Sequence, residues 1–313
     1  MTDGVIVVDK PSGCTSHDVV QRVKRLFQLK AGHAGTLDPS ATGVIIIGLG
    51  RATRLLGFLQ NLPKTYSAVV KFGVSTFSQD ADGEITAERP CQFTEQELND
   101  VASRFLGEIQ QIPPMVSAIK VGGEPLYKAA RRGEVVERKA RTIRVHSLEM
   151  SGFDSSAWTV KMHVDCSSGT YIRTLASDIG DLLGCGAHLA SLRRDGIGSF
   201  DLSESVELKT LESSDDKDSF MRSMRWAMRD FPLIQVDAEQ RDSVIHGRPL
   251  MLEEPPAREG EFPLLQTTHG LGRPPHEAGM TAGIPIAVTD ETGDLLAVYR
   301  RSSKGLKPEA VFV

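Results

Sequence analysis

Two short segments of this chain hold the residue types best placed to do chemistry. The first is Gly32-His33-Ala34-Gly35-Thr36-Leu37-Asp38-Pro39-Ser40-Ala41-Thr42-Gly43, followed by the apolar run Val44 to Ile47. Its glycines let the backbone approach another surface closely, and Asp38-Pro39 fixes a carboxylate on a loop that runs into a buried segment. Such a carboxylate can serve as a nucleophile, although a Gly-rich turn closed by an Asp has the same composition. The second segment is Ser168-Gly169-Thr170-Tyr171-Ile172-Arg173. If a helix begins there with Ile172 facing the core, Arg173 lies about 100° further round and points off that face. A first-turn Arg opposes the helix dipole at a cost of roughly 0.3 to 1 kcal/mol. That placement makes sense if a carboxylate or phosphate sits opposite; otherwise it is a solvent-exposed Arg.

Other chemistries lack their signatures. The four cysteines, Cys14, Cys91, Cys166 and Cys185, form no CxxC pair, and the eight histidines give no HExxH or Cys/His ligand spacing. Reduced thiols and no metal site are expected. No Walker-type GxxxxGK[ST] run supports phosphoryl transfer through Asp38. No apolar run reaches the roughly 18 to 20 residues that span a bilayer, and the start, MTDGVIVVDKPSG, has no export-signal pattern. A cytoplasmic globular protein is the expectation.

The elements that must position these segments follow from periodicity. Val5 to Val8 reads as a strand ending at the turn Asp9-Lys10-Pro11-Ser12-Gly13. Thr15 and Asp18 form a capping box before Val19, Val20, Val23, Leu26 and Phe27 at helical spacing, with Arg22, Lys24 and Arg25 on the opposite face. Tyr66, Ala68, Val70, Phe72 and Val74 share one strand face, as do Trp158, Val160, Met162 and Val164 on another strand. Thr94 and Glu97 cap a helix lined by Leu98, Val101, Phe105 and Leu106; Ile172, Leu175, Ile179, Leu182 and Leu183 mark a further helix. Clean alternation without a βαβ repeat predicts an α/β fold with a mixed, mainly antiparallel sheet. The length of 313 residues favours two domains. The stretch 254–283, rich in Pro and Gly, predicts a long loop, and the short strands beyond it a small β-rich C-terminal domain.

Net charge is −5, which alone argues against a nucleic-acid partner. The distribution argues otherwise. Residues 120–144 hold eight basic against three acidic side chains, a net +5, whereas 201–220 hold two basic against seven acidic, a net −5. The acidic segment, which reads as a boundary region, masks a basic one.

Five separated motifs carry a resemblance: DKPSGCTSHDVV with Lys10-Pro11, GHAGTLDPSATG with Asp38, KTYSAVVKFG with Tyr66, CSSGTYIRTLASDIGDLLG with Arg173, and GAHLASLRRDGIGSF. In order and spacing the chain resembles the TruB family of tRNA pseudouridine synthases over about residues 4–200. IPPMVSAIKVGGEPLYKAARRGEVVERKARTI is similar to the insertion that sets this family apart. The resemblance implies a pseudouridine synthase catalytic domain over 1–229, with an RNA-binding insertion at about 110–145, and a PUA-like domain over 232–313. It implies that the T-loop uridine conventionally numbered 55 is detached from C1′ and rejoined through C5. No cofactor is implied, because isomerisation transfers no electrons and adds no atoms. Asp38 would act on ribose or base, as nucleophile or as a base taking the 2′ proton; Arg173 would hold it ionised, and Tyr66 would stack on the base. His33 would fill the space left by the flipped base, and Tyr171 and Leu192 would contact it. Lys10 and Thr36 complete the implied substrate-binding set, and Lys120, Lys128, Arg131 and Arg132 would neutralise RNA phosphates. The partner implied is the tRNA T-arm, met by a monomer. An RNA-binding tRNA folding chaperone on the same scaffold is the alternative. The chain departs from the family pattern at Val116, at Phe77 before Asp80, and at Ile45-Ile46-Ile47, none of them in the catalytic set.

Overall fold

The computed structural model describes residues 3–250, 283–302 and 305–312. The expected loop at 254–283 therefore lies outside the described residues, apart from Gly283. Backbone proximity divides the chain into two units. Unit 1 comprises Met1–Asp38, Val44–Leu62 and Ile197–Val313; unit 2 comprises Pro39–Gly43 and Pro63–Gly196.

Unit 1 is organised by the strand Gly4–Lys10, which pairs in parallel with Val206–Glu207 at Val8↔Val206. The hairpin of Ala31–His33 with Thr42–Leu49 sets His33 opposite Ile47. The helix Ser16–Phe27 carries the expected Thr15/Asp18 capping box. Its Val19, Val20 and Val23 join Ile6, Val8, Ile45 and Ile47 in one core. The acidic stretch, read from sequence as a boundary region, is itself folded. Val206–Glu207 belongs to the sheet, Leu208 and Leu211 enter that core, and Glu212 reaches Arg22 on the helix's basic face at 3.6 Å.

The tail is β-rich. Leu233–Gln235, Ile286–Thr289, Leu295–Ser302 and Gly305–Val311 form a four-stranded sheet in that order, parallel at the first pairing and antiparallel afterwards. Ile286, Val288, Leu296 and Tyr299 pack with Val236 and Val244 in a core of their own. Ala287, Leu295, Val298 and Phe312 pack with Val5, Val44 and Ile46. Period-2 alternation thus gives this sheet two apolar faces, one shared with the N-terminal strands.

In unit 2 the strands Ala187–Ile197, Lys64–Phe72, Thr159–Cys166, Arg141–Asp154 and Gly107–Gln111 lie side by side in that order. The last three pairings are antiparallel, in keeping with the mixed, mainly antiparallel sheet expected. Tyr66, Ala68, Val70 and Phe72 are buried as the alternation predicts, and Ser67 on the other face is exposed. Trp158 departs from its predicted place. It precedes the Thr159–Cys166 strand at φ 51°, in a turn where the Asp154 carboxylate accepts from the N–H groups of Ser156 and Ala157. Ring packing on Phe93 and Phe153, at centroid distances of 5.1 and 5.9 Å, offsets the strain of that backbone. The helix Glu95–Ser103 has its Thr94/Glu97 capping box, and Ile172–Leu182 buries Ile172, Leu175 and Ile179. Among the described residues no helix is long and apolar enough to cross a membrane.

Candidate active site

The Asp38 loop is pinned from within unit 1. Ser16, at the start of its helix and 2% exposed, accepts a hydrogen bond from Leu37 N at 2.8 Å and donates to Leu37 O at 3.1 Å. Both backbone polar groups of the residue before Asp38 are thereby satisfied, which fixes where the carboxylate emerges. Gly35 adopts φ 96°, a conformation open to glycine at little cost. His33 is half-buried, Thr36 is exposed and Asp38 is half-buried. Lys10 is fully buried, and its ammonium donates to Pro11 O at 3.0 Å and Cys14 O at 2.7 Å. Its part in the expected substrate set is therefore at least partly to shape its own loop.

Arg173, in unit 2, is 3% exposed, which rules out the alternative of a solvent-exposed Arg. Its Nη1 donates to Ser78 O at 2.6 Å, its Nη2 to Val116 O at 3.0 Å, and Nη1 stands 3.4 Å from Asp80 Oδ2. A first-turn Arg calls for an opposing carboxylate, and Asp80 is one. The turn that delivers it is tightly made. Thr76 Oγ1 donates to Asp80 O at 2.7 Å and Ser78 Oγ to Asp80 Oδ1 at 2.5 Å. Gln79 adopts φ 65° while its side chain accepts from Thr174 Oγ1 at 2.7 Å. A Cβ on Gly83 would come within 2.1 Å of Ser78 Oγ. The folding of this turn over Arg173 is a long-range event that no local pattern announces.

Tyr66, 8% exposed on its strand, is hydrogen-bonded by the guanidinium of Arg194, itself 1% exposed. Burial pulls the Arg194 pKa down, and the Tyr66 contact opposes that shift. Burial, reinforced by Arg194, also pushes Lys64 down to about 7, while burial raises the Cys166 thiol to about 12. Arg194 and Lys64 were not anticipated. Strand alternation placed residue 64 on Tyr66's face, but nothing local announces that an Arg of a neighbouring strand is buried beside it. Leu192, two residues before Arg194, falls on the Arg194 face and is half-buried. Gly43 makes that strand's approach possible: at φ 107°, its absent Cβ would sit 2.2 Å from Arg194 O. The parallel pairing Arg194↔Gly43 depends on this. Tyr171 is the N-cap residue of the Ile172–Leu182 helix.

The basic segment forms a two-residue hairpin, Lys120–Val121 with Glu124–Pro125, and the helix Leu126–Arg131. Lys120, Lys128 and Arg131 are exposed, and Arg131 lies 5.6 Å over the Tyr127 ring. Arg132, expected to meet phosphate, forks onto Glu124 with two bonds of 2.8 Å and onto Glu134 at 2.7 Å. These pairs offset its charge locally.

Asp38, His33, Thr36 and Lys10 thus belong to unit 1, and Tyr66, Arg173, Tyr171, Leu192 and the basic segment to unit 2. The chain passes from one unit to the other at the Asp38–Pro39 peptide bond.

Comparison with known proteins agrees with these motifs. The family model of the TruB family pseudouridylate synthase N-terminal domain matches residues 23–172, and that of the tRNA pseudouridylate synthase B C-terminal domain matches 173–228. The chain is 44% identical over 257 residues to tRNA pseudouridine synthase B of Azoarcus sp. (strain BH72), covering 81% of this chain and 85% of that one. It is 42% identical over 312 residues to the protein of that name from Ralstonia pickettii (strain 12J), covering 98% and 93%. Among solved structures, a Cbf5-Nop10-Gar1 complex contains a chain 26% identical with a TM-score of 0.73, covering 100% of this chain and 85% of that one. Motif order, fold and identity over most of its length lead to one conclusion: this chain belongs to the TruB family of pseudouridylate synthases.

Proposed function

We propose that this chain converts the T-loop uridine conventionally numbered 55 in tRNA to pseudouridine, with Asp38 as its catalytic carboxylate. The observation that carries the reading is Asp38 itself, set in GTLDPSATG directly after a residue that Ser16 clamps through both backbone groups. A fixed carboxylate needs little reorganisation to meet a sugar brought to it. The N1–C1′ bond breaks, the C5–C1′ bond forms, C5 loses its proton and N1 gains one. Asp38 supports this either by bonding covalently to the sugar or base or by taking the 2′ proton. Arg173 keeps Asp38 ionised and oriented, and Tyr66 stacks on the base. The uridine is first flipped out at a cost of a few kcal/mol, His33 fills the gap, Tyr171 and Leu192 hold the base with Thr36, and Lys10 supports the set by shaping its own loop. Lys120, Lys128 and Arg131 face the RNA phosphates. We place the enzyme in the cytoplasm as a monomer.

The test is incubation of the purified protein with an unmodified T-arm stem-loop, followed by carbodiimide and primer-extension mapping, with Asp38→Ala in parallel. Pseudouridine at the T-loop uridine with wild type and none with the variant is expected. Wild type that binds the RNA and leaves every uridine unchanged would favour the folding-chaperone reading instead.

A further inference from the structure

Gln111 closes the Gly107–Gln111 strand at the start of the insertion that carries the basic segment, and it is 2% exposed. A buried amide at a strand end needs partners at both of its poles. It finds them on one residue. Gln111 Nε2 donates to Tyr171 O at 3.0 Å, and Tyr171 N donates to Gln111 Oε1 at 2.8 Å. The backbone roles settle which pole of the amide is which, since a carbonyl only accepts and an N–H only donates.

Tyr171 is the last extended residue before the helix, at φ −96° and ψ 106°, and its own side chain caps nothing. Gln111 therefore holds the junction at which the chain turns helical. Two residues on, Arg173 donates to Val116 O, five residues beyond Gln111. The entry to the basic segment is thus tied to the helix start twice, once by Gln111 on Tyr171 and once by Val116 on Arg173. Arg138, from the far end of the segment, donates to Pro113 O at 2.9 Å and fastens the stretch between those two ties.

We propose that Gln111 is a positioning residue for the isomerisation: its two hydrogen bonds to Tyr171 orient that ring toward the flipped base, set the starting point of Arg173, and couple the basic segment's hold on RNA to the base pocket. This rests on the roles given above to Tyr171 and Arg173. Gln111 itself touches no reacting atom.

Gln111→Glu and Gln111→Leu, made in the full chain, separate positioning from packing. An ionised Glu accepts from Tyr171 N but cannot donate to Tyr171 O; a protonated Glu has the shape and the donor of the amide. Single-turnover rates on the T-arm stem-loop are measured against wild type from pH 5 to 8, with RNA affinity and melting temperature for each protein. Loss of both bonds in Gln111→Leu is expected to slow the rate about tenfold or more at unchanged RNA affinity. Gln111→Glu is expected to match that loss at pH 8 and to recover toward wild type as the pH falls, while Gln111→Leu does not recover. Variant rates equal to wild type well below their melting temperatures, or a Glu variant without acid recovery, would overturn the proposal alone. Wild type that makes no pseudouridine would overturn the functional reading and this proposal with it.

Discussion

Arg173 shows what one residue's surroundings decide. Its guanidinium is shared among two carbonyl oxygens and the Asp80 carboxylate. Lysine carries the same charge but not the planar fork, so it cannot reproduce three directed contacts from one buried position. Arg173→Lys is expected to lower kcat about a hundredfold with little change in RNA affinity, as read by single-turnover kinetics and filter binding on the T-arm. A variant within threefold of wild type would show that charge alone suffices. From sequence, the first-turn position made sense with a carboxylate or phosphate opposite but did not identify Asp80 or foresee burial. The helix contributes one face of Arg173's environment; the 76–80 turn and Val116 contribute others, and both are remote in sequence.

Among the elements, the Ile172–Leu182 helix and the strand opening at Thr42 carry the clearest consequences. Asp178 on the helix has its pKa pushed up to about 6, first by burial and then by Asp181. The folded-state value lies above the ordinary 3.8, so the folded protein binds the extra proton more readily between these values, and stability is lost as pH rises through 6. Asp178→Asn removes the charge that has to be desolvated. It is expected to stabilise the protein by about 1 kcal/mol at pH 7.5, once solvent screening of this partly exposed group is allowed for, and by nothing near pH 3.5. Urea unfolding at both pH values checks this, and an equal gain at both would refute the assignment to ionisation. Gly43→Ala sets a Cβ against Arg194 O in a left-handed backbone conformation. It is expected to lower stability by about 3 kcal/mol or more, measured by thermal unfolding, because neither backbone can move without breaking the strand pairing. The Thr15/Asp18 and Thr94/Glu97 capping boxes were legible because their partners stand three residues apart. Trp158 was misread as strand because the rings that claim it, Phe93 and Phe153, are distant or across a turn.

Over the whole molecule, charge is divided where the total conceals it. The −5 of the full chain coexists with a +5 segment, while part of the acidic stretch is spent on Arg22. Replacing Lys120, Lys128 and Arg131 with Ala is expected to reduce the slope of log Kd against log salt for T-arm binding by about 2 to 3, since each phosphate contact releases about one counterion. An unchanged slope would remove these residues from the RNA path. The sequence by itself determined the family, the mixed α/β class, the β-rich tail and the residues proposed for catalysis, because motif order, period-2 and period-3.6 patterns and caps are local in the chain. Only the tertiary structure decided that Arg173 is buried on Asp80, that Arg194 meets Tyr66, that Arg132 belongs to Glu124 and Glu134, and that Gln111 holds Tyr171. Each of those outcomes turns on which polar groups lose water together when separate segments pack, and a desolvated donor takes whichever acceptor the fold brings to it.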